Sequence, residues 1–219
     1  MSVDPAAAPG TPAALRPAKV FCIGFQKTGT TSLGLALERL GYRVGGYNAF
    51  RALAARPAVT LDEIRDHALA IVDRFDAVKD TPWPLFYREF EARYPDARFI
   101  HVVRDTDAWL ASALGDFAHH ANALHQAIYG CPFPKGHEAI WRERYERHNR
   151  EAEAWGADRP KRYLRLSLDA GEVGWARVAP FLGHAIPDAP WPKANTRSAK
   201  RVNTFIWRWR GRLRQLAGG

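Results

Sequence analysis

Gly24-Phe25-Gln26-Lys27-Thr28-Gly29-Thr30-Thr31 places two glycines with four residues between them, after an apolar run and ahead of a helical pattern. Such a frame can cradle a phosphate, because the first N–H groups of a helix have no partner within it and carry the positive end of its dipole. The N–H groups of Gly29, Thr30, Thr31 and Ser32 are the donors on offer, with the hydroxyls as extra ones. A nucleoside triphosphatase needs Lys and then Ser or Thr directly after the second glycine. Here those places hold Thr30 and Thr31, and the only lysine of the loop is Lys27. A lysine inside the loop is left to meet the oxygen that departs when a group is transferred. Taken alone, the frame also fits an ordinary Gly-Thr helix cap.

The elements that must position this loop are legible around it. KVFCIG (19–24) reads as a buried strand, and Leu33, Leu37 and Leu40 recur at helical spacing after it. Thr60 with Glu63 makes a capping-box pattern ahead of LDEIRDHALAIVDRF, after which DAVKD reads as a second strand. A helix from about Leu85 to Tyr94, the strand RFIHVVR, the helix TDAWLASALGDF and a long charged helix around His137 to Trp155 follow. YLRLSL and EVGWARVAPFLG complete the alternation before the Pro-rich HAIPDAPWPKANTR. The pattern predicts an α/β fold of P-loop type, one domain whose parallel β-sheet is flanked by helices on both faces, with ligands gathered at the carboxyl ends of the strands. Three segments fall at such ends: Phe25 to Ser32, Asp80 to Trp83, and Arg104 onward.

A chain of 219 residues with 47% hydrophobic content suits one domain and is short for two. Residues 1–18, rich in Ala and Pro, read as a flexible tail without the apolar core of a signal peptide, leaving 19–219 for the domain. No segment approaches the roughly 20 apolar residues a membrane-spanning helix needs. Cys22 and Cys131 form neither a disulfide framework nor a metal-ligand spacing, which fits a reducing cytoplasm. The formal charge of +9 predicts attraction to anions without choosing among them.

KTGTTSL after a strand that ends in glycine is similar to the 5′-phosphosulfate loop of P-loop sulfotransferases. EARYPDARFIHVVRDTDAWLAS, WARVAPFLG and PDAPWPKANTR resemble successive landmarks of bacterial members, so the resemblance runs from Lys19 to about Arg197. It implies 3′-phosphoadenosine 5′-phosphosulfate as co-substrate, released as adenosine 3′,5′-bisphosphate, with no metal requirement. It implies that Gln26, Lys27, Thr28, Gly29, Thr30, Thr31 and Ser32 bind the donor, with Lys27 also catalytic. In the family an arginine at a strand end and a serine eight residues on bind the 3′-phosphate, and this chain offers Arg104 and Ser112. A guanidinium gives forked hydrogen bonds, and a hydroxyl two helical turns later points from the same side. Without the loop, Arg-Asp at a helix start would be a cap with its charge partner. Arg197, Lys200 and Arg201 stand where relatives close a loop over the 3′-phosphate, although the usual Arg-Lys-Gly is absent.

Asp80 is the candidate base, since relatives present a catalytic His, Glu or Asp from this segment. It competes with a role as cap of the helix near Pro84, and Lys79 is a partner for it or for sulfate. His119 and His120 are candidates for the acceptor pocket, and His101 for the strand interior. Trp83, Phe86 and Tyr87 fit an aromatic wall or the core, Phe86 the core. The resemblance implies an acceptor that is a small molecule, a lipid or a carbohydrate presenting a hydroxyl or an amine. No nucleic-acid partner is expected. The alternatives are a P-loop kinase acting on a small molecule or nucleotide, and a non-enzymatic anion-binding module. Val202, Phe205, Ile206, Trp209, Leu213 and Leu216 form one stripe of a basic C-terminal helix. It is expected to dock on the domain, with peripheral contact to anionic lipid as the alternative.

Overall fold

The computed structural model describes residues 18–194. Residues 1–17 of the expected tail and 195–219, which include Arg197 and the basic stripe, lie outside the described residues.

Five parallel strands form one sheet in the order β2-β3-β1-β4-β5. They are β1 (Val20–Cys22), β2 (Val44–Gly45), β3 (Ala77–Val78), β4 (Arg98–Val103) and β5 (Tyr163–Ser167). Alternation along the strands divides the core in two. Phe21, Ile23, Val78 and Phe99 face one side, and Val20, Cys22, Ala77, Ile100 and Val102 the other. The first side is covered by α3 (Leu61–Ile71), α4 (Tyr87–Arg93), α5 (Thr106–Phe117) and α7 (Glu138–Gly156), which contribute Ile64, Phe90, Trp109 and Trp141 among others. The second is covered by α1 (Thr30–Arg39) and α8 (Trp175–Phe181) through Leu33, Leu37 and Val178. The chain is therefore an α/β domain with helices on both faces of a parallel sheet.

Local chemistry accounts for the boundaries. The Thr60 hydroxyl accepts from Glu63 N–H at 3.1 Å and the Glu63 carboxylate accepts from Thr60 N–H at 2.8 Å, so the expected capping box forms at α3. After β1 the ladder continues for one residue, Ile23 N–H to Ile100 O at 2.8 Å, and the chain then leaves at Gly24. A Cβ at Gly24 would sit 2.3 Å from the Val102 carbonyl oxygen, so only glycine lets β1 and β4 approach this closely where the loop begins. The helix expected from Glu172 starts instead at Trp175, because the Glu172 carboxylate accepts from Ser167 N–H at 2.6 Å and Gly174 is extended. Three elements had no counterpart in the sequence pattern. They are β2, the turns between Tyr47 and Ala54 that contain α2 (Arg51–Ala54), and α6 (Ala123–Tyr129).

His101 is interior, as expected. Its Nε2 faces Asn149 Oδ1 at 3.1 Å and its Nδ1 faces the Tyr163 hydroxyl at 2.7 Å, while buried His148 donates from Nε2 to Ile23 O at 2.7 Å. No helix among the described residues is long and apolar enough to cross a membrane.

Candidate active site

The loops after β1, β3 and β4 border one cavity of about 850 Å³. From the first come Gln26, Lys27, Gly29 and the opening residues of α1, Thr30, Thr31 and Ser32. The second brings Asp80, and the third brings Arg104 with Ser112 from α5.

The loop after β1 is held from several sides. Gln26 N–H donates to the Thr81 hydroxyl at 3.2 Å, its side-chain NH₂ to the Tyr129 hydroxyl at 2.5 Å, and its side-chain oxygen accepts from Thr81. The Trp109 indole N–H donates to Gln26 O at 2.8 Å. Thr28 is fully buried and its hydroxyl donates to Phe25 O at 2.7 Å, so it does not line the cavity. The Gln26 and Thr28 side chains thus fix the shape of the loop, and what the loop turns toward a ligand is backbone, Lys27 and the hydroxyls of α1. Gly29 opens α1 at φ +86° with no side-chain cap, whereas α3, α5 and α6 are capped by Thr60, Asp105 and Asn122.

Lys27 (φ +69°) and Asp80 (φ +73°) are the two non-glycine residues with left-handed backbone among those described. Such conformations cost energy and persist where the surroundings dictate them, commonly at functional sites. The Lys27 ammonium is ion-paired with Asp116 of α5. One Asp80 carboxylate oxygen accepts from Thr81 N–H at 3.0 Å, and the other lies 3.8 Å from Lys79 Nζ. The Asp80 side chain caps no helix: Pro82 stands at the N-cap of the short 3₁₀ turn at Trp83–Phe86, which has no side-chain cap. Burial pushes the Asp80 carboxyl above the usual carboxylate range, against the pull of the Lys79 charge. Room for Lys79 comes from Gly34 and Gly46, where an added Cβ would stand 3.2 Å from Lys79 Cε.

Arg104 is fixed at its backbone, where the Tyr145 hydroxyl accepts from Arg104 N–H at 2.9 Å and donates to Arg104 O at 3.0 Å. Its guanidinium keeps capacity to spare. Nε is buried without a hydrogen-bond partner, 3.6 Å from Asp169 Oδ1.

A family model described as Sulfotransferase domain matches residues 19–200. The chain belongs to the sulfotransferase-domain family. It is 24% identical over 228 residues to Ava biosynthesis cluster protein M of Aspergillus versicolor, with 88% of this chain and 87% of that protein covered. Among solved structures it is similar to mouse sulfotransferase SULT7A1 complexed with PAP, at 13% identity and a TM-score of 0.49, covering 78% of this chain and 60% of that one. It is also similar to a gluconokinase from Sinorhizobium meliloti 1021, at 15% identity and a TM-score of 0.44, covering 77% of this chain and 93% of that one.

Most of the remaining wall of this sulfotransferase's cavity comes from turns and a short helix that the sequence pattern did not show, joined by Phe117 of α5 and by His120. Tyr47, Phe117, Leu124 and Ile128 give it an apolar surface, and His120, Asn122 and His125 supply polar atoms. His120 lines the cavity, whereas His119 is exposed beside Phe133. Burial pushes the His125 imidazole down to about 4, so it is neutral near pH 7. Trp83, Phe86 and Tyr87 are core residues and form no part of the wall. Asp116 and His125 escaped the sequence reading. The available signal for Asp116 was its place one helical turn beyond Ser112 on α5. At the other rim the described chain ends beside the loop, where Ser32 Oγ accepts from Ala194 N–H at 3.2 Å.

Proposed function

We propose that this sulfotransferase takes a sulfuryl group from 3′-phosphoadenosine 5′-phosphosulfate and passes it to a hydroxyl or amine of a small-molecule, lipid or carbohydrate acceptor, releasing adenosine 3′,5′-bisphosphate. The observation that carries the reading is Arg104, whose Nε makes no hydrogen bond and lies 3.6 Å from Asp169, bordering the same cavity as the uncapped start of α1. Two separate anion-seeking groups suit a nucleotide that carries phosphate at two places. The donor fits these residues. The first N–H groups of α1 hold its 5′-phosphate, and Arg104 with Ser112 holds its 3′-phosphate.

When bound, the donor supplies an activated sulfuryl group. Lys27 places positive charge on the phosphate oxygen that keeps the electron pair of the breaking S–O bond. Asp80, its proton affinity raised by burial, takes the proton from the acceptor as the new bond to sulfur forms. Tyr47, Phe117, Leu124 and Ile128 suit an acceptor with an apolar body.

Calorimetry with adenosine 3′,5′-bisphosphate, AMP, ADP and ATP, without added metal, tests the donor. The bisphosphate binds tightest, by about tenfold or more over AMP, the worth of charge-assisted hydrogen bonds to one phosphate. Tight ADP or ATP binding with indifference to the bisphosphate would support a kinase instead. Arg104→Ala and Ser112→Ala weaken the bisphosphate, the arginine variant by about tenfold, and leave AMP nearly unchanged. Equal losses for both ligands would remove Arg104 and Ser112 from the 3′-phosphate.

Asp80→Asn keeps bisphosphate affinity and lowers turnover by about 10²-fold, the usual worth of a general base. In the parent protein, activity falls on the acid side as the raised Asp80 carboxyl takes up its proton. Retained activity in the variant would move the role to His120 or His125.

A further inference from the structure

The ion pair between Lys27 and Asp116 lies inside the candidate site, and the mechanism above requires Lys27 to leave it. The Lys27 side chain is 14% exposed and that of Asp116 35%, with the Phe117 ring 6.0 Å from the ammonium. Water therefore screens this pair less than one on an open surface. The start of the Lys27 side chain is set by its left-handed backbone between clamped Gln26 and buried Thr28. Its far end is set by Asp116, and α5 carries Asp116 one turn beyond Ser112.

We infer that Asp116 is a positioning residue that holds Lys27 in the donor-free protein, so that donor loading transfers the ammonium from the Asp116 carboxylate to an oxygen of the 5′-phosphate. The inference rests on the proposed donor. Carboxylate and phosphate oxygen compete for one cation, and each gains what the other gives up. Donor affinity is therefore lower than the loop and Arg104 alone would provide. After transfer, the carboxylate draws Lys27 back and assists release of the bisphosphate.

A double-mutant cycle separates this exchange from simple repulsion between Asp116 and an anion. Wild type, Asp116→Asn, Lys27→Met and the double variant are titrated with adenosine 3′,5′-bisphosphate, with thermal melts to verify folding. Removing the carboxylate relieves repulsion in either background, but frees an ammonium only where Lys27 is present. The expected result is about tenfold tighter binding for Asp116→Asn over wild type, and a gain several-fold smaller in the Lys27→Met background. Asp116→Glu, which restores the carboxylate, returns the affinity toward wild type.

Equal gains in both backgrounds, or no gain in either, would overturn the inference while leaving the donor assignment intact. Wild type that ignores the bisphosphate but binds ADP would overturn the donor assignment and this inference with it. Should Asp116→Asn fail to fold, the ¹³C NMR signal of the Asp116 carboxyl reports the same event. It shifts when bisphosphate is added to wild type and stays in place in Lys27→Met at saturation. A signal that stays in place in saturated wild type would overturn the exchange.

Discussion

Lys27→Met lowers turnover by about 10²–10³-fold, the cost of removing one preorganised group from developing negative charge. Bisphosphate affinity changes far less, for two reasons. The charge on the departing oxygen is largest in the transition state, so the ammonium acts there more than in the ground state. In the parent, moreover, the ammonium gained by the ligand is taken from Asp116, and the two contributions oppose each other. Single-turnover rates beside equilibrium titration separate these quantities. A variant that loses affinity and keeps its bound-state rate would reassign Lys27 to donor binding alone.

Acid unfolds the protein well above the usual carboxylate range. Burial pushes His101 and His125 down to about 4, and His148 well below its ordinary value, with the His101 ring 6.0 Å away. In the unfolded chain each takes up a proton near pH 6.5. Below that pH the unfolded state binds more protons than the folded one, so stability is lost as pH falls from about 6.5 toward 4. A histidine protonated in the unfolded chain and neutral in the folded one contributes at most about 1.4 kcal/mol per pH unit, and all three act in the same direction. The raised Asp80 carboxyl acts in the opposite sense and offsets part of this. Urea melts at pH 7.5, 6 and 5 measure the slope, and His148→Gln reduces it. Equal midpoints at pH 7.5 and pH 5 would contradict the account.

The sheet and the three loops at its carboxyl edge could be read from the chain because central parallel strands are buried on both sides and stand out as apolar runs. α3 announced itself through Thr60 and Glu63. β2 did not, since Val44 and Gly45, between Arg43 and a second glycine, form no apolar run. α6 was hidden by its shortness at seven residues, although Asn122 caps its start and Gly130 (φ +73°) ends it. Within the site, Lys27, Asp80, Arg104 and Ser112 were named from sequence and line one cavity. Thr28 was named with the loop but points away, because the bend at Phe25 needs its hydroxyl. Asp116 was passed over because a carboxylate on a helix that also carries apolar residues reads as a solvated position. Its partner lies 89 residues earlier and comes close only through the fold.

Trp109 stacks on Tyr145 with ring centroids 4.1 Å apart, and its indole N–H holds the carbonyl of Gln26. Tyr129 stacks on Trp141 at 3.7 Å, and its hydroxyl receives the Gln26 amide. For anyone engineering this enzyme for heat tolerance, the obvious targets and the forbidden ones therefore coincide. Recombining aromatics between α5, α6 and α7 would count as interior redesign in most scaffolds, yet here it retunes the loop that carries Lys27. Stabilising changes belong in the layer beneath α1 and α8, where Val178 and Leu182 pack against the other face of the sheet and touch neither stack.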